Sequence, residues 1–160
     1  MKKLSAIFIC LVIGLTFISC KSEKETFVFD DLKIKVKMQV GEHARATHEN
    51  TTMLFTNAEK GYDLGVVSVV KEEGKNINEI YDTYIIGDGE ITKTELSDNL
   101  IFIDISNKID SVVLGERVDK MYCFIFYDEA TGTMLYGKFL KNSERDYVIS
   151  LAKSIEVIEA

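Results

Sequence analysis

Proline is absent from this chain. Nothing inside it therefore removes a backbone donor from a strand or kinks a helix from within. Tryptophan is absent too, and only two histidines occur, His43 and His48. Imidazoles five residues apart share no helix face and point to opposite sides of a strand. They read as exposed loop residues, with weak metal binding beside Glu42 and Glu49 as the alternative. The signatures of common catalytic sites are missing as well. There is no Gly-x-Ser-x-Gly elbow, and Gly87-Asp88-Gly89 follows a helical pattern without the lysine-serine ending of a phosphate loop. The acidic pairs Asp30-Asp31, Glu72-Glu73 and Asp128-Glu129 lack the alternating ligand spacing of a calcium loop and read as turn chemistry. No cofactor, no metal and no catalytic residue is expected, and the chain reads as a non-enzyme. An enzyme built from carboxylates is the remote alternative.

What is present begins with an address. Lys2 and Lys3 precede an apolar stretch over residues 4–17, which closes on Phe17-Ile18-Ser19-Cys20. A basic start, an apolar run and a small residue at a boundary form an export signal. An uncleaved membrane anchor and ordinary secretion are the alternatives. With Cys20 placed directly after a small residue, the leader resembles the lipobox of bacterial lipoproteins, and Phe17 makes it similar to the Bacteroidetes form. The resemblance implies cleavage after residue 19, lipidation of Cys20, and a domain held by acyl chains at the outer membrane, facing the periplasm or the cell surface. The polar segment Lys21-Ser22-Glu23-Lys24-Glu25 completes a tether over residues 20–25. One domain is expected over residues 26–160.

Loss of the leader removes Lys2 and Lys3, taking the formal charge from −7 to −9. A domain this acidic lacks the basic footprint of a nucleic-acid binder. Taken as a whole it is repelled by anionic lipid, and is not expected to lie flat on the membrane. Of the three cysteines, Cys10 leaves with the leader and Cys20 is lipidated. Cys123 is then alone in an apolar run and reads as a buried structural thiol.

Hydrophobic periodicity outlines an α+β fold. Residues 32–38 alternate apolar with lysine, which marks a strand with one buried face. Residues 26–29 read as a preceding strand, and residues 41–50 as a polar loop or irregular strand. Hairpins are expected at 52–56 with 62–70, at 90–96 with 100–105, and at 120–127 with 134–140. Residues 107–117 are ambiguous. A helix is expected over 78–86, capped by Asn76 or Asn78 and stopped by Gly87-Asp88-Gly89. A last helix is expected to open at Ser143 and carry Tyr147, Val148, Leu151, Ala152, Ile155 and Ile158 on its core stripe. Hairpins with two helices argue for a mainly antiparallel sheet covered by a mid-chain and a C-terminal helix.

Three segments carry a further resemblance: the strand at 32–38, the helix at 78–86, and the strand 134–140 leading into Tyr147-Val148-Ile149-Ser150-Leu151-Ala152-Lys153-Ser154-Ile155. In order of elements the domain resembles the PsbP/Mog1-like α/β-sandwich family. That resemblance implies a binding or assembly factor without catalytic residues. The expected function is thus a lipid-anchored, acidic domain that binds a protein partner in an assembly-factor or immunity-type role. Glu72 and Glu73 are the candidate contact residues. The alternative is a small apolar or cationic ligand held between helix and sheet.

Overall fold

The computed structural model describes residues 23–84, 89–113 and 116–160, with the backbone alone for 107–113 and 116–119. The leader, Cys20 and the helix stop at Gly87-Asp88 lie outside the described residues. The fold is α+β, as the periodicity predicts. Its described strands are β1 (Glu25–Phe29), β2 (Ile34–Met38), β3 (Ala44–Glu49), β4 (Thr52–Asn57), β5 (Asp63–Lys71), β6 (Glu90–Ser97), β7 (Leu100–Val113), β8 (Glu116–Asp128), β9 (Thr133–Leu140) and β10 (Glu156–Glu159). Helix α1 (Ile77–Tyr84) lies mid-chain and α2 (Arg145–Lys153) near the C-terminus. Every pairing is antiparallel, in a three-stranded sheet ordered β1-β2-β10 and a seven-stranded sheet ordered β3-β4-β5-β9-β8-β7-β6.

Register assigns the faces. On β7 and β8, Phe102 lies opposite Phe124, while Ile103 lies opposite Cys123 on the other side. The first face meets the inner face of the small sheet, where Phe27, Phe29, Ile34, Val36 and Met38 point, together with Val148 and Leu151 of α2. This is the main core. Two glycines make room for its aromatic rings. Gly137 lies opposite Phe124, and a Cβ there would sit 2.3 Å from the ring; Gly65 lies opposite Phe139, where the distance would be 2.5 Å. The Phe124 and Phe139 rings stack with centroids 6.1 Å apart.

The turns use their polar residues locally. The Asn57 side-chain oxygen accepts from the Glu59 and Lys60 amides at 3.1 and 2.8 Å, with Gly61 at φ +71° completing the turn. In the β8–β9 turn, the Asp128 carboxylate accepts from the Thr131 amide at 3.0 Å and Gly132 takes φ +60°.

Several boundaries differ from the sequence-based expectation. Residues 44–49 form an edge strand, because Ala44 and Ala46 face the core while the other side of β3 meets solvent. Of the two readings open for residues 41–50, the strand is the one found at 44–49, and its polarity is that of an edge. Helix α1 is capped by Asn76, whose side-chain oxygen accepts from the amides of Asn78 and Glu79 at 3.0 and 3.1 Å. Glu79 returns the bond by accepting from the Asn76 amide at 2.9 Å, which makes a capping box. Ser143 does not open the last helix. It is buried in a 3-10 turn, Lys141–Ser143, and its hydroxyl donates to the Leu64 carbonyl at 2.7 Å. Nor does that helix run to Ile158. The Ser154 hydroxyl donates to the Leu151 carbonyl and accepts from the Gln39 amide at 2.7 and 2.8 Å, fixing the helix end against the chain leaving β2. Beyond it, β10 pairs with β2, so Ile158 sits on a strand and is 39% exposed.

Candidate functional site

The second face of the large sheet is covered on one half. Across β7, β8 and the start of β9, Ile101, Ile103, Cys123, Ile125 and Met134 form a second core against Ile80 of α1. The other half spans β4, β5 and the adjoining part of β9, and no described helix or strand is layered on it. Leu54, Val66 and Lys138 form one row of it, and Thr52, Ser68 and Tyr136 the next. All are half-buried except Thr52, which is exposed. Lys138 places its ammonium 4.9 Å from the Tyr136 ring centroid, and the Tyr84 ring at the end of α1 packs 5.8 Å from the same ring. These six side chains carry one charge, Lys138, in a chain of which 28% is charged, and the exposed Arg45, Thr47 and Glu49 of β3 continue the face to its edge. Depletion of charge at the centre is the compositional mark of a protein interface.

The rim of this surface is held by Glu72, and not in the manner the sequence suggests. Its side chain is 15% exposed and pairs with Lys75 at 2.6 Å. It also accepts a hydrogen bond from the Tyr84 hydroxyl at 2.6 Å, while its backbone carbonyl accepts from Tyr127 at 2.8 Å. The Lys75 ammonium, then the Tyr84 hydroxyl, hold the carboxyl below its usual range. The reciprocal effect raises Tyr84 to about 12. Glu72 is thus a latch between the β5–α1 loop and α1, not an exposed acid available to a partner. Glu73 is exposed, with its stem against Gly132. Sequence alternation contained the signal for the surface: Thr52, Leu54, Thr56, Val66, Ser68 and Val70 are uncharged and oppose the core-facing positions. That signal is not distinctive, because uncharged β-branched residues also suit buried strands.

The remaining candidates do not converge. Cys123 is fully buried, and burial pushes its thiol up to about 12. His43 is exposed and lies 3.9 Å from Glu59, whereas His48 packs on Phe27 and Phe29 with ring centroids 5.8 and 5.4 Å away. Among the described residues, no group of three or more histidine, cysteine or acidic side chains is placed to hold a metal. A cleft of about 400 Å³ lies between the start of α1 and the β6–β7 turn, lined by Ile77, Asn78, Glu95, Leu96, Asp98 and Ile101. No protein-family model, curated protein or solved structure matches the chain.

Proposed function

We propose that this protein is a lipoprotein, anchored through Cys20 at the outer membrane on its periplasmic or outer side, whose domain binds a protein partner without catalysis. The leader's resemblance to a lipobox supports the anchor, and the PsbP/Mog1-like order of elements supports a binding or assembly role. The observation that carries the reading is the charge-poor half-face of Leu54, Val66, Ser68, Tyr136 and Lys138. The test is crosslinking and pull-down from native membranes with wild type, Cys20→Ser, Val66→Asp and a remote control, Glu59→Lys. A stoichiometric partner lost with Val66→Asp, kept with Glu59→Lys and reduced with Cys20→Ser supports the reading. Correctly lipidated protein that yields no partner, or one indifferent to Val66→Asp, sinks it.

A small cationic ligand is the second reading. The 400 Å³ cleft beside α1 is within the size range of ligand sites and carries Glu95 and Asp98 on its wall. It predicts a thermal shift with amine ligands that Asp98→Asn removes and Val66→Asp leaves intact.

A further inference from the structure

The formal charge of the domain is negative, but its lysines are not spread evenly. Register places Thr26, Lys37 and Glu156 in one row of the small sheet, and Val28, Lys35 and Ile158 in the next. All six lie on the face turned away from the core, because their neighbours Phe27, Val36 and Val157 point inward. Lys24 joins this face by pairing with Glu156 at 2.6 Å. Lys24, and then Lys37, hold the Glu156 carboxyl below its usual range. Three lysines therefore face one acid on the outer side of β1-β2-β10. No salt bridge among the described residues engages Lys35 or Lys37. Between the lysines, Val28 and Ile158 are each 39% exposed, the two most exposed large apolar side chains among the described residues.

We propose that this lysine-and-aliphatic face docks on an anionic lipid surface. The occupant follows from where the face sits in the chain. Lys24 lies four residues after Cys20 and β1 opens at Glu25, so a chain anchored at Cys20 holds this sheet within about 15 Å of the lipid. At that range, the lysines of this face are drawn to an anionic surface, opposed by the nearby acids Glu23 and Glu25 before and at the start of β1 and Asp30 and Asp31 in the β1–β2 turn. Val28 and Ile158 then face the headgroup layer. The net charge of −9 argues against such docking only if the molecule is treated as a point. The large sheet lies behind the small one, so its charge-poor half-face is turned away from the lipid and open to a partner. This inference rests on the lipid-anchor reading above, and the two fail separately.

The test uses the full chain as processed by cells, reconstituted on vesicles of phosphatidylcholine alone or mixed with phosphatidylglycerol. Flotation on neutral vesicles reads the anchor. Lysine acylation followed by peptide mass spectrometry reads the docking. Labelling of Lys35 and Lys37 is expected to fall several-fold on anionic vesicles relative to neutral ones and to recover at high salt, while Lys60 stays constant. Each lysine changed to glutamine, Lys35→Gln or Lys37→Gln, is expected to weaken docking about fivefold, read as returning label on Lys24. Equal labelling on both vesicle types overturns the proposal, as does equal protection on neutral vesicles, which a second copy of the chain would give. Failure to float on neutral vesicles overturns the anchor, and the footprint on anionic vesicles then decides the docking on its own.

Discussion

At the scale of single residues, two glycines that admit aromatic rings and one partly buried carboxylate show how the fold is held. Gly137 exists because Phe124 occupies the space over it. Gly137→Ala forces a Cβ to 2.3 Å from that ring in a core that is otherwise filled. The expected cost is about 3 kcal/mol, measured as a shifted urea midpoint with unchanged slope. Glu72 gives a second expectation, in pH. Its folded pKa is depressed, so its contribution is complete above the unfolded value of about 4.5 and is lost as pH falls through the folded value. Tyr84 is raised from 10 to about 12, so its contribution is complete below pH 10 and is lost as pH rises towards 12. Stability curves of wild type should therefore fall at both ends more steeply than those of Glu72→Gln at low pH and Tyr84→Phe at high pH. Parallel curves would show that the latch is not formed in solution. Such pairing was not legible in the sequence, where Glu72 stands beside Glu73 and looks equally free.

At the scale of elements, α1 shows how a short helix is made to persist. Eight residues are too few to be stable alone in water. It is held by the Asn76–Glu79 capping box at its start, by Ile80 in the second core, and by the Tyr84–Glu72 bond at its end. Asn76→Ala removes the side-chain acceptor for two amides and should cost about 1 kcal/mol by chemical denaturation, whereas Asn78→Ala leaves the cap intact. The helix and the hairpins were readable because their signals are local: a cap, an alternation, a turn residue. Helix α2 was readable in its middle and not at its ends. Ser143 resembles an N-cap but spends its hydroxyl on Leu64, far away in the chain. Ile158 continues the helical spacing although it sits on β10, and Ile155 is buried between the helix and that strand, since spacing alone cannot distinguish the two over so few positions.

At the scale of the whole molecule, two stacked sheets present opposite faces of different character. One outer face is lysine-rich and lies beside the chain segment leading from Cys20; the other is charge-poor and half-covered by α1. The small sheet is completed only by β10, whose pairing with β2 joins the two ends of the domain. Removing residues 156–160 takes Val157 from the core edge and the Ala160 amide from its bond to the Lys33 carbonyl. The truncated chain is expected to melt about 10 °C lower and to label more readily at Lys35 and Lys37. An unchanged melting point would mean that β10 contributes nothing to closing the sandwich.

Composition and periodicity alone determined the α+β class, the core-facing side of most strands, the three hairpins and the burial of Cys123. These follow from short-range rules, because alternation, caps and turns are decided by neighbours in the chain. Tertiary structure alone decided that Glu72 is tied down and Glu73 free, that the last apolar residues form a strand against β2, and that the lysines of β2 gather with Lys24 on one outer face. Each of these depends on which distant segments meet. Charge and polarity summed along a sequence carry no information about the faces on which folding distributes them.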